Sequence, residues 1–171
     1  AYRKIRNTIR YLLSNLNDFD PATDRVAYDQ LSEIEQWALS QLEGLRARIV
    51  AAYETFEFHV IFQSLQNFCA VTMSAFYLDI LKDRLYTTAP KSAARRSAQS
   101  ALWHITQSFV RLLAPITSFT AEEVWQVLTG NADDSVMFQV WHDLPKPEGE
   151  GEMLAKWALI RTARADVTKA L

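Results

Sequence analysis

From Leu31 to Phe56, apolar residues recur every three or four positions, at Leu31, Ile34, Ala38, Leu42, Leu45, Ile49, Ala52 and Phe56. An α-helix places residues at that spacing on one side, and a seam this narrow and long suits a helix bundle. A helix is therefore expected from between Asp24 and Ser32 to near Phe56. The same period at Ile5, Ile9, Leu12, Leu13 and Leu16 predicts an earlier helix, which Asn17-Asp18-Phe19-Asp20-Pro21 breaks because proline disfavours helix in the residue before it. A third helix, about Glu57 to Tyr86, carries two apolar stripes: Ile61, Leu65, Phe68, Ala75 and Leu78, then Phe62, Cys69 and Phe76. That breadth predicts a central position.

A fourth helix, from about Ser92 to Leu113, presents Ala98, Leu102, Ile105, Phe109 and Leu112, and Ala114-Pro115 stops it. Thr120 with Glu123 reads as a capping box, with Phe119 stapled onto Val124, so a short helix is expected from there to Leu128, closed by Gly130. Val136 to Trp141 reads as a short extended segment, Pro145 to Gly151 as a linker, and Met153 to Leu171 as a final helix. With only four glycines and five prolines, and no useful alternating apolar run, the fold expected is all-α. The bundle should occupy residues 1–144, with 145–171 a linker and C-terminal helix leading onward. Both ends read as cuts within a longer chain.

Several chemistries find no support. One cysteine, Cys69, builds neither a disulfide framework nor a metal site. His59, His104 and His142 lie in separate elements and outside any known motif. The glycines form no phosphate loop, and Glu122 and Glu123 read as first-turn acids favoured by the helix dipole rather than a catalytic pair. No apolar run is long enough to span a bilayer, so no membrane contact is expected, and the absence of disulfides suits a cytoplasmic compartment.

The net charge is −2, but it is distributed unevenly. Residues 1–17 carry Arg3, Lys4, Arg6 and Arg10 with no acid, and residues 84–121 carry Arg84, Lys91, Arg95, Arg96 and Arg111, again with none. Residues 18–57 hold nine acids against three bases. The two basic segments could form a positive face. Arg3, Arg6 and Arg10 share a ridge suited to phosphates or unpaired bases, with Asn7 beside them; composition alone favours a solvated helix face. Tyr86, following Lys82 and Arg84, reads as an exposed ring in basic company, a combination used for single-stranded RNA.

The stretch Tyr2-Arg3-Lys4-Ile5-Arg6-Asn7-Thr8-Ile9-Arg10-Tyr11-Leu12-Leu13-Ser14-Asn15-Leu16 resembles the opening of the anticodon-binding domain of isoleucyl-tRNA synthetases, bacterial type. Three further blocks follow in the family's order: Phe58-His59 with Asn67-Phe68-Cys69; Phe76 to Tyr86; and Leu113-Ala114-Pro115-Ile116 through Thr120 to Trp125. At Glu35-Gln36-Trp37 the family more often has aspartate and a basic residue before tryptophan, which puts in doubt any contact made by such a basic residue.

The resemblance implies an antiparallel helical bundle of the class I synthetase type that holds the anticodon stem-loop of tRNA(Ile), working as a monomer beside the catalytic and editing domains of its own chain. It implies RNA-binding roles for Arg3, Arg6, Asn7 and Arg10, then Lys82, Arg84 and Tyr86. The HIGH and KMSKS signatures and the cysteines of the C-terminal zinc module are absent, so ATP, Mg and Zn would belong to other parts of the parent enzyme. No catalytic residue, metal ligand or cofactor is assigned to this chain. A helical module that binds an acidic protein surface remains the alternative, and a valyl or leucyl paralogue is disfavoured by the wording of the first helix.

Overall fold

A computed structural model describes residues 2–145 and 150–170. Among the described residues seven α-helices run Tyr2–Ser14 (α1), Glu33–Glu54 (α2), Phe58–Asn67 (α3), Leu78–Thr87 (α4), Ala93–Leu113 (α5), Ser118–Thr129 (α6) and Glu150–Ala170 (α7). A π-helical segment, Phe68–Tyr77, joins α3 to α4, and 3-10 turns lie at Tyr28–Gln30 and Val136–Phe138. The described residues contain no strand, and no described helix is long and apolar enough to cross a membrane.

The α3–π–α4 run is one continuous rod, since the residues at both junctions keep right-handed helical angles. Within the π segment the buried residues come in pairs four apart, Phe68/Cys69, Thr72/Met73 and Phe76/Tyr77. Hydrogen bonds from i to i+5 widen the turn, so side chains four apart stay on one side as they do in an α-helix, with the slow drift of that side round the axis reversed in sense. Of the two stripes read in the sequence, Ile61, Leu65, Phe68 and Leu78 of the first and Cys69 and Phe76 of the second are buried, while Ala75 is exposed. Phe62, assigned to one of them, is instead 40% exposed.

The central element is α5, not the rod. From Arg96 to Leu113 it is buried except at Trp103 and Arg111. Hydropathy hides this because many of its buried residues are polar and satisfied by neighbours. Gln99 Nε2 donates to Asn15 O at 2.9 Å and to Asp18 at 2.7 Å, while Ser97 and Ser100 hydroxyls accept from Ser32 N at 3.0 Å and Val26 N at 2.9 Å.

These contacts set the directions. The C-terminal end of α1 meets the start of α5, so that pair is antiparallel. Phe68 stacks on Phe109 with centroids 6.2 Å apart, and Arg95 donates to Leu85 O, so the rod also opposes α5. Helix α2 opposes the rod, with Trp37 edge-on to Phe76 at 5.0 Å. It runs parallel to α5, from Ser32 beside Ser97 to Tyr53 Oη donating to Leu112 O at 2.8 Å.

Two chain reversals depart from the expected devices. Between α2 and α3, Phe56 adopts φ 57°, and Glu57 N bonds Ala52 O at 2.8 Å. This is the left-handed helix ending usually given to glycine. At α6, the helix begins at Ser118, one turn earlier than a capping box at Thr120 would place it. Thr120 and Glu123 reach across to α1 instead, and Phe119 is 94% exposed, so no staple forms. Gly130 closes α6 at φ 65°, as read.

The stretch read as extended begins with the Val136–Phe138 turn, where Ser135 caps Met137 N at 3.2 Å. The expected linker falls partly outside the described residues, at 146–149. Helix α7 lies on the outside of α2 and the rod: Trp157 sits 5.8 Å from Trp37 and 6.2 Å from Phe76, and Lys156 pairs with Glu33 at 2.6 Å.

Candidate nucleic-acid interface

Helix α1 turns Ile5, Ile9 and Leu12 inward, which leaves Arg3, Asn7, Arg10 and Ser14, spaced four, three and four, as its exposed ridge. Arg3, Lys4 and Arg10 make no ion pair with any described residue. Arg6 lies off the ridge: its Nη1 and Nη2 donate to the Glu123 carboxylate at 3.0 and 3.1 Å, and Tyr2 meets Thr120 alongside at 2.7 Å. Arg6 thus clamps α6 to α1, a different use from the free phosphate ligand its spacing suggested.

On the opposite flank of α1, a groove of about 320 Å³ separates Lys4, Asn7 and Tyr11 from Ser74, Asp79 and Lys82. Lys82 Nζ pairs with Asp79 at 2.9 Å, and Arg164 reaches the same carboxylate at 3.4 Å. The Lys82 bond first, then the Arg164 charge, hold the Asp79 carboxyl below the usual carboxylate range. Tyr86 is 64% exposed and stands beside Tyr11. Burial, reinforced by that neighbouring hydroxyl, pushes the Tyr11 phenol well up. Arg10 lies toward α6, in a cleft with Arg6, Glu123 and Val127, whereas Asn7, Lys82 and Tyr86 border the groove on the other flank. Lys4 and Tyr11 belong to it too; sequence reading passed over them, although Lys4, Asn7 and Tyr11 repeat at three and four.

Arg84 does not join them. Its Nη1 donates to Glu35 at 3.0 and 3.2 Å and to Ser32 Oγ at 2.8 Å. Glu35 is fully buried, and burial pushes its carboxyl up to about 7 against the pull of Arg84. The neighbouring departure from the family pattern, Gln36, donates to Tyr28 O and Leu31 O at 3.0 and 3.1 Å and holds the turn before α2.

The second basic segment is largely neutralised. Arg95 pairs with Asp18 at 3.0 Å, and Arg96 pairs with Asp18 at 3.7 Å and Asp24 at 3.1 Å. Arg111 lies over the Trp125 ring at 4.5 Å. The acids come from the loop after α1, so a charge count taken segment by segment could not show the cancellation.

The structure also joins two histidines that the sequence kept apart. His104 Nδ1 and His142 Nε2 lie 3.0 Å apart, packed on Trp103. Burial first, then nearby positive charge, push them down to about 4 and about 3. No cluster of three or more metal-ligating side chains occurs among the described residues.

The family profile described as the anticodon-binding domain of tRNA ligase matches residues 35–170. This chain belongs to that family. The anticodon-binding domain here is 70% identical over all 171 of its residues to an isoleucine–tRNA ligase of Dechloromonas aromatica. It is 53% and 54% identical, again over the whole chain, to isoleucine–tRNA ligases of Aromatoleum aromaticum and Azoarcus sp.. In each case the chain spans 18% of the relative's length. Helix α1 precedes the profile match but is covered by all three relatives.

Proposed function

We propose that this chain is the part of an isoleucyl-tRNA synthetase that holds the anticodon stem-loop of tRNA(Ile). Other domains of the same cytoplasmic polypeptide would activate isoleucine with ATP and Mg, transfer it to the tRNA and hydrolyse mischarged product. The observation that carries this reading is the 70% identity to an isoleucine–tRNA ligase along the entire chain.

Physical chemistry supports a division of roles on the α1 face. Anticodon-loop bases can be splayed and stacked on aromatic or guanidinium planes, while cations fix the backbone. Arg3, Arg10 and Lys4 are the cations free to meet phosphate, Asn7 offers a donor and an acceptor for a base edge, and Tyr86 offers an exposed ring. Lys82 would contribute after exchanging Asp79. Arg6 and Arg84 serve as positioning residues, the first holding α6 and the second holding α2.

The test is binding of the tRNA(Ile) anticodon stem-loop by the full-length protein over a range of salt concentrations. Arg3→Ala and Arg10→Ala should each weaken binding and flatten the logarithmic salt dependence by about one unit, the signature of a lost phosphate contact. Unchanged affinity and slope in both variants would overturn the assignment of the α1 face and favour a protein-binding module.

A further inference from the structure

A groove of about 480 Å³ lies away from the α1 face, between α2 and the α3–π junction. Gly44 lies on its α2 wall, near the middle of a helix of 22 residues. A glycine there weakens the helix relative to alanine. The fold itself gives no reason for it, because a Cβ added at Gly44 would meet nothing within 4 Å. The missing side chain leaves open space over this part of the groove.

Much of what surrounds Gly44 is polar, and Ser40 at the edge of the groove donates to the Glu150 carboxylate at 3.0 Å. Gln41 and Arg48 from α2 face Gln63 and Asn67 from the rod across the groove, and none of these side chains makes a hydrogen bond with a described residue. The π segment begins at Phe68, which forms part of the floor with Leu45. Such segments are often found at functional sites. The lining contains a guanidinium and no carboxylate.

We propose that this groove receives one splayed-out nucleotide of the bound RNA, with Gln41, Gln63 and Asn67 reading the base edge and Arg48 holding its phosphate. The inference rests on the RNA reading above. Side-chain amides carry a donor and an acceptor together, the pairing that base edges present, and the Leu45–Phe68 floor supplies an apolar surface for the base plane. The groove lies across the rod from α1: Thr8 of α1 packs at Cys69 on one side, and α2 lines the other.

The experiment uses the full-length protein and the tRNA(Ile) anticodon stem-loop, with Gly44→Ala, Gly44→Leu and Arg48→Ala. Gly44→Ala should raise the Tm, since it improves the helix and meets no clash. Gly44→Leu, which fills the groove, and Arg48→Ala should each weaken stem-loop binding at least tenfold. A series of stem-loops with a single abasic position should contain one that binds Gly44→Leu and the unaltered protein alike. If Gly44→Leu binds the stem-loop normally while Arg10→Ala does not, the groove inference fails and the RNA reading stands. If the groove variants leave RNA binding intact but lower the Tm of the full-length protein, the groove seats another polypeptide segment and the nucleotide assignment is overturned. Failure of the unaltered protein to bind the stem-loop overturns both readings.

Discussion

Arg84 reaches from the end of the rod to place one guanidinium nitrogen 3.0 and 3.2 Å from the two oxygens of the buried Glu35 carboxylate. Breaking one side of such a pair leaves a charge without its partner in a place water does not reach. Arg84→Ala should therefore destabilise the fold by about 3 kcal/mol at pH 8. Below pH 6 Glu35 can take up a proton, so the loss should shrink. Denaturant titrations at the two pH values check this, and equal losses at both would show that Arg84 contributes through packing alone.

Glu35 itself gives stability a pH dependence of known sign. Folding raises its carboxyl from an ordinary 4.5 to about 7, so the folded chain binds the proton more tightly than the unfolded one. The contribution is greatest below 4.5 and declines as pH rises to about 7, by roughly 3 kcal/mol over the window. Glu35→Gln should remove that slope, which a comparison of urea midpoints for the two proteins between pH 4.5 and 8 measures.

The His104–His142 pair acts in the opposite sense. Both rings are held neutral, at about 4 and about 3, from an ordinary 6.5. Their contribution is present above pH 6.5 and is lost as pH falls toward 4, because the unfolded chain gains protons first. The imidazole resonances of His104 and His142 should therefore show no titration between pH 8 and 5.5 in an NMR series. A mid-point near 6.5 for either would contradict the burial.

Much of the bundle was legible in the sequence because its helices bury one apolar stripe each. The α2 seam from Ile34 to Ala52 and the inward residues of α1 stand where the periods put them, whereas Phe56, read as the seam's last member, lies in the turn after α2 and is 76% exposed. Helix α5 was read as one helix among several because Ser97, Gln99, Ser100 and Thr106 score as polar while being buried among partners. The candidate interface divides in the same way. Arg3, Asn7 and Arg10 follow from helical spacing alone, whereas the fates of Arg6, Arg84, Arg95 and Arg96 depend on acids brought from distant segments.

Helix α7 should behave as a peripheral helix, held by ion pairs along its length and by the Trp157 ring as its aromatic anchor. None of its residues is fully buried, and Trp157 makes the aromatic contacts to Trp37 and Phe76. Trp157→Ala should speed amide hydrogen exchange across residues 150–170 while leaving α5 protected. Loss of protection in α5 as well would mean that α7 is integral to the bundle.

Tyr86 provides a separate check on the α1 face. Removing an exposed base-stacking ring weakens single-strand binding by about 1–3 kcal/mol with little effect on the salt slope. Tyr86→Ala should do so for the anticodon stem-loop, and Tyr86→Phe should retain most of the affinity. Equal losses in both variants would assign the effect to the Tyr86 hydroxyl beside Tyr11.

The π-helical stretch acts as a phase adjuster along a single shaft. In an α-helix each residue advances the side-chain direction by about 100°, so the way α4 faces is set by how many residues separate it from α3 and how tightly they wind. Phe68–Tyr77 winds loosely, so Gln63 and Asn67 point toward α2 while Lys82 and Tyr86 point toward α1. Rewinding this stretch as an ordinary helix, without altering one outward-facing residue, would rotate the two ends of the rod relative to each other and separate surfaces that now serve one fold.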